Sequence, residues 1–317
     1  MDQAEGLRTL MEPSEGTQVP PPSPGLGEET PSREKWPRVI AVSSGKGGVG
    51  KTNVVANLAF ALTRLGEKVL VWDADLSLAN LDILLGLTPR YTIEHFLNRK
   101  KNLREILVEG PGGMTILPAS SGVQELADLN ENQKLFLLTE LESLSENINI
   151  LLIDTGAGIS SNVLYFNMAA EEVIVVVTPE PTSITDAYAL MKVLSSKHQK
   201  RHFSVLVNSA QTSPEAKEVF RKISRVVDRF LGDVSLDYAG FIPFDEKLPV
   251  AVKQQRPVME VFPQASSSRS FMEVARALRE KPLRGESHGN LQFFWRCLIQ
   301  CHQPARQQGG SSESQSL

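Results

Sequence analysis

Gly45-Lys46-Gly47-Gly48-Val49-Gly50-Lys51-Thr52 is the stretch that organises the reading of the whole chain. It follows an apolar run, Val39–Ser43, and opens a segment in which Val54, Val55, Leu58, Leu62 and Leu65 share one helical face before Gly66. Strand, glycine-rich turn and helix in that order satisfy GxxxxGK[ST], the phosphate-binding loop. Glycines let backbone N–H groups close around phosphate oxygens, and the first helical turn adds partial positive charge. Gly45, Lys46, Gly47, Gly48, Val49, Gly50, Lys51, Thr52 and Asn53 are therefore expected to cradle a nucleotide. Within that set Lys51 reaches the β- and γ-phosphates and the Thr52 hydroxyl holds Mg²⁺.

Outward from the loop, apolar runs alternate with amphipathic stretches. Strands are expected at Val39–Ser43, Lys68–Asp73, Met114–Pro118, Ile148–Asp154, Val173–Thr178, Phe203–Asn208 and Tyr238–Ile242. Helices are expected from Lys51, at Phe136–Leu144, Ser183–Leu194, Pro214–Leu231 and Phe271–Leu278. The near-continuous Val/Ile/Leu content of the strands implies burial on both faces. The pattern predicts an α/β fold, a mostly parallel twisted sheet with helices on both faces.

Carboxylates cluster where such a sheet binds ligands, at the carboxyl ends of its strands. Asp73-Ala74-Asp75 closes the second strand. Asp75 is expected to position the attacking water, with Asp73 in the outer shell of the magnesium. Asp154 ends Ile148–Ile153 and begins Asp154-Thr155-Gly156-Ala157-Gly158, the apolar-strand-then-Asp arrangement that holds Mg²⁺ beside a turn able to sense the γ-phosphate. Phosphoryl transfer needs positioning and charge neutralisation more than covalent chemistry, so this set suffices for ATP hydrolysis.

The run Lys46–Thr52 resembles the deviant phosphate loop of the MinD/ParA superfamily of ATPases. The resemblance implies that Lys46 crosses an interface to the partner's nucleotide, giving an ATP-sandwich homodimer. It also implies that Asn208, and the loop carrying Pro243 and Asp245, contact the base. Asp73–Asp82 and Thr178–Tyr188 are similar to the FlhG (FleN, YlxH) branch, apart from Ser77 where that branch usually has glycine. Coverage runs from about Arg38 to Leu278.

The ends extend the resemblance. Asp2-Gln3-Ala4-Glu5-Gly6-Leu7-Arg8 resembles the N-terminal motif by which FlhG proteins stimulate the GTPase FlhF, an SRP-type partner. Gln3, Leu7 and Arg8 are the contacts implied. Pro13, Pro20, Pro21, Pro22, Pro24 and Pro31 make residues 1–36 an extended tether. At the other end, within 282–317, Leu291, Phe294, Trp295, Leu298 and Ile299 fall on one helical face with Arg296 opposite. Such a helix can lie in a membrane interface or dock on its own domain, and the resemblance favours lipid.

Composition bounds the alternatives. Subtracting both ends from the 317 residues leaves about 245, Pro37 to Lys281, the size of one α/β domain. No run of 18 apolar residues is present to span a bilayer, and the acidic start Met1–Glu5 is not a secretory signal. Cys297 and Cys301 leave the core without cysteine, which fits a reducing cytosol and excludes an iron–sulfur electron carrier. The expectation is a cytoplasmic, ATP- and Mg²⁺-dependent ATPase. It associates peripherally with the inner face of the cell membrane and controls flagellar number or placement through flagellar assembly or regulatory proteins.

Three rivals stay open: a MinD-like cell-division site regulator, a nucleotide-gated scaffold with negligible turnover, and a ParA-like DNA-partitioning ATPase. The last needs a basic surface. With 33 basic against 37 acidic residues the chain offers only a modest cluster within Lys192–Arg201, and nucleic acid is not expected as a partner.

Overall fold

Alternate residues of the first strand, β1 (Arg38–Ser44), pack into different cores. Ile40 and Val42 face one side of the sheet, Val39 and Ala41 the other. A strand apolar on both faces must lie in the middle of a sheet covered by helices on each side. The computed structural model describes residues 37–75, 80–118, 136, 140, 144 and 147–281, all within the unit Trp36–Leu317.

The described strands form one sheet in the order β3-β4-β2-β5-β1-β6-β7-β8. They are β2 (Val69–Ala74), β3 (Val108–Glu109), β4 (Thr115–Leu117), β5 (Ile150–Ala157), β6 (Glu172–Val177), β7 (His202–Ala210) and β8 (Ser235–Pro243). Every pairing is parallel except β3 with β4. The α/β architecture with a mostly parallel sheet is as expected from the alternation of runs. The two-residue edge strand β3 is an addition, too short to show any period.

One face is covered by α1 (Lys51–Arg64) and, late in the chain, by α9 (Val258–Val261) and α10 (Ser266–Glu280). The opposite face carries α3 (Ile93–Leu97), α4 (Leu103–Ile106) and α5 (Ser161–Ala169) on one half. On the other half lie α6 (Pro181–His198) and α7 (Ser213–Phe230). Short helices α2 (Leu81–Leu84) and α8 (Lys247–Lys253) sit near the carboxyl edge. Phe136, Glu140 and Leu144 are helical, in line with the segment expected there.

Helix α5 escapes sequence periodicity because Val163, Tyr165, Phe166, Asn167 and Ala169 are buried on more than one side. Phe166 meets Trp72 of β2 edge-to-face, ring centroids 5.0 Å apart. Helix α10 starts five residues before the expected Phe271, at Ser266.

Candidate active site

β1 delivers the chain into the loop Gly45–Gly50 at the sheet's carboxyl edge, and α1 begins at Lys51. Gly50 takes a left-handed φ of 85° as the residue preceding the helix, which an L side chain resists. Gly45 is required for a different reason. A Cβ there would stand 2.1 Å from the backbone carbon and oxygen of Asp186 in α6. Asn208, at the end of β7, is buried and donates from Nδ2 to the Val49 carbonyl at 2.8 Å. The structure thus places Asn208 against the loop's backbone.

The loop borders a cleft of about 910 Å³. Gly47, Gly48, Val49, Gly50, Lys51, Thr52 and Asn53 form one wall, and Asp75, Asn80 and Ala157 another. Val252, Lys253 and Gln255, at the end of α8 and just beyond it, close the cleft from a direction that sequence reasoning missed. Gln255 Nε2 donates to the Ile83 carbonyl at 2.8 Å and so ties that wall to α2. The sequence signal there was the exposed Lys253 after the apolar Val250–Val252, masked by Pro249 within the helix.

Asp73 and Asp154 are register partners on β2 and β5, both buried. Burial raises the Asp73 carboxyl to about 7, and the Asp154 charge beside it adds to the effect. Backbone N–H groups of Leu81 and Asp75 donate to Asp73 and oppose that rise. Burial likewise pushes Asp154 up, against the attraction of Lys51. Lys51 Nζ lies 2.6 Å from Asp154 Oδ1, the two side chains only 7% and 1% exposed.

The second oxygen, Asp154 Oδ2, is buried with no hydrogen-bond donor among the described residues. A buried anionic oxygen lacking a donor is what a divalent cation or its water shell satisfies. With the Thr52 hydroxyl acting on Asp154 and Asp73 alongside, this donor set is hard, oxygen-only and doubly acidic. It fits Mg²⁺. Thr52 and Asp154 would hold the ion, with Asp73 behind, where it would neutralise charge developing on phosphate oxygens. Asp75 is half-buried on the cleft wall next to the Gly156 turn, where it can orient a water.

Lys46 does not line this cleft. Its Nζ lies 2.7 Å from Glu180 Oε2 and 3.0 Å from Thr182 Oγ1, with the side chain 39% exposed. Asp245 is engaged outside the cleft lining. Its Oδ2 accepts from the Ser266 hydroxyl and from the backbone and hydroxyl of Ser267, and its Oδ1 from the Lys247 N–H. Burial opposes ionisation, but these donors hold the carboxyl down at about 2. Asp245 therefore anchors the start of α10, and neither it nor Pro243, which ends β8, is in the cleft lining.

The basic cluster is partly committed to the fold. Lys200 donates to the Ala170 and Glu171 carbonyls, and Arg201 to Ser195 Oγ at 2.9 Å. Gln3, Leu7, Arg8, Ser77, Leu291, Phe294, Trp295, Leu298 and Ile299 lie outside the described residues.

Known proteins match this arrangement along most of the chain. The family model described as "AAA domain" matches residues 37–206. Antiactivator FleN of Pseudomonas aeruginosa is 48% identical over 263 residues, 83% of this chain and 94% of that protein. Flagellum site-determining protein YlxH of Helicobacter pylori is 33% identical over 265 residues, 82% of this chain and 90% of the other. Among solved structures, the MinC:MinD cell division protein complex of Aquifex aeolicus aligns with a TM-score of 0.60 at 30% identity, over 80% of this chain and 100% of that one.

Proposed function

Since the chain belongs to the FlhG branch of the MinD/ParA superfamily of P-loop ATPases, with ATP and Mg²⁺ as cofactors, we propose that it is an ATP-gated homodimer controlling flagellar number or placement. Residues 37–281 are the ATPase domain. Residues 1–36 carry a motif that stimulates an FlhF-type GTPase, and residues 282–317 carry a helix that binds membrane lipid. Lys51 holds the β- and γ-phosphates, Thr52 and Asp154 the cation, and Asp75 directs water. Hydrolysis dissolves the dimer.

The observation that carries this reading is the position of Lys46. It stands outside its own cleft and partly exposed, where a second copy can reach it. The flagellar output is supported by the names of the two relatives, an antiactivator and a site-determining protein of the flagellum.

Light scattering with a non-hydrolysable ATP analogue tests the dimer: the mass doubles for the unsubstituted chain and stays monomeric for Lys46→Ala. A K46A variant that still dimerises defeats the assignment. Liposome co-sedimentation comparing the full chain with one ending at Gly289 tests the lipid-binding end. Stimulation of the GTPase, lost on deleting residues 1–10, tests the other.

A further inference from the structure

Ser43, Thr155 and Asn167 are each 0% exposed, and none lines the cleft. Polar side chains carried that deep are costly unless their donors and acceptors are matched. These three match one another in a row. Asn167, on α5, donates from Nδ2 to the Val163 carbonyl at 2.6 Å and to Ser43 Oγ at 2.7 Å. Ser43 Oγ lies 2.7 Å from Thr155 Oγ1. Thr155 Oγ1 stands 2.9 Å from the Gly156 carbonyl and 3.1 Å from that of Val42.

The proton order follows from the inventory of donors. Ser43 already accepts from the amide nitrogen of Asn167. Its own proton is assigned to Thr155 Oγ1, at 2.7 Å the nearer acceptor, over Oδ1 of the same amide, 2.9 Å away. Thr155 is left with one proton for two carbonyls, and Gly156 is the nearer. The row thus runs from α5, through the end of β1, to the peptide that joins Gly156 to Ala157.

That peptide matters for chemistry. It is planar and trans, so the N–H of Ala157 faces away from Thr155, and Ala157 lines the cleft. Gly156 also abuts Asp75: a methyl group there would come 3.6 Å from Asp75 Oδ1.

We propose that Asn167, Ser43 and Thr155 are positioning residues for ATP hydrolysis. They hold the turn after Asp154 at the angle from which its backbone meets the terminal phosphate and Asp75 meets water. The loop Gly47–Thr52, built separately, keeps the diphosphate. The inference uses the ATPase chemistry of the site and is independent of the dimer, membrane and flagellar readings.

The experiment compares steady-state hydrolysis and ADP binding for the full chain and for Thr155→Val, Thr155→Ser and Ser43→Ala. T155V removes the hydroxyl at nearly constant shape and is expected to lower kcat ~10- to 100-fold, the scale of an ångström-level misplacement. Its ADP affinity stays within about threefold, because binding common to both states is untouched. T155S, which keeps the hydroxyl, recovers most of the lost rate. S43A breaks the middle of the row without adding bulk, shows the same split, and decides the matter if T155V does not fold. Unchanged kcat in the folded variants, ADP affinity falling in parallel with kcat, or T155S no faster than T155V would overturn the proposal. ADP affinity of the unsubstituted chain reads the nucleotide site by itself, so failure of the site and failure of the row are separable.

Discussion

Lys51 Nζ stands 2.6 Å from Asp154 Oδ1 with both side chains buried, so the lysine expected at the phosphates is also the counter-ion of the carboxylate expected at the metal. Buried pairs of this kind contribute little net stability while intact but are costly to halve. Lys51→Ala is therefore expected to lose ~3 kcal/mol of stability, because Asp154 is left in its buried place without its partner. The K51A/D154A double variant should be less destabilised than the sum of the two singles. Urea denaturation of all four proteins measures this, and simple additivity would show the pair to be uncoupled.

Gly45 and Gly47 belong to one loop but differ in what surrounds them. A Cβ at position 45 meets the Asp186 backbone at 2.1 Å, whereas one at position 47 meets nothing within 4 Å. Gly45→Ala should cost ~2–4 kcal/mol, since backbone cannot step aside as a side chain can. Gly47→Ala should stay within about 0.5 kcal/mol in stability, as an open surface position does. Thermal melts of the two variants supply the contrast, and equal melting temperatures would refute it.

Asn208 acts on the loop through a single donor. Asn208→Ala removes its 2.8 Å bond to the Val49 carbonyl and should cost ~1–2 kcal/mol, because an acceptor is left unmatched in a buried place. Asn208→Asp puts a carboxylate oxygen against that carbonyl and is expected to be worse than alanine at neutral pH. Fluorescent-nucleotide titration should rank affinity as wild type, then N208A, then N208D; a reversed order of the last two would dismiss the bond as a loop anchor.

The Asp245 carboxyl is held at about 2, below its ordinary 3.8. A depressed acid stabilises the fold above its unfolded pKa and loses that effect as pH falls through the folded value. The half-buried carboxylate at the start of α10 is worth ~1 kcal/mol after allowance for solvent, in the range of helix caps. Asp245→Asn should be less stable than wild type by that amount above pH ~4, the gap closing between pH ~4 and ~2. A gap that persists unchanged across this window would place its origin elsewhere.

How much of this was legible in the sequence depends on the distance over which each feature is encoded. The loop Gly45–Thr52 and its flanking strand and helix are contiguous, and Asp154 closes an unbroken apolar run, so both are visible in one dimension. The register that sets Asp73 beside Asp154 joins residues 81 apart and emerges only when β2 pairs with β5. The Ser43–Thr155–Asn167 row is the same kind of object, three ordinary polar residues that meet through sheet pairing and helix packing. Helix α5 was missed because its apolar residues wrap around it, and α2, α3 and α4 because four or five residues carry no period. The contacts of Asp245 were hidden for a local reason. Its chain neighbours suggested the ligand edge, whereas Ser266 and Ser267, distant in sequence, claim its oxygens.

The missing side chain at position 45 leaves no slack between the phosphate loop and α6. That helix is 18 residues long, about 27 Å at 1.5 Å per residue, and ends at Lys197 and His198. Because Leu190, Met191 and Leu194 seat the rest of its length in the core, the helix is a strut, and the place where phosphates settle and the far rim of the domain are parts of one stiff unit.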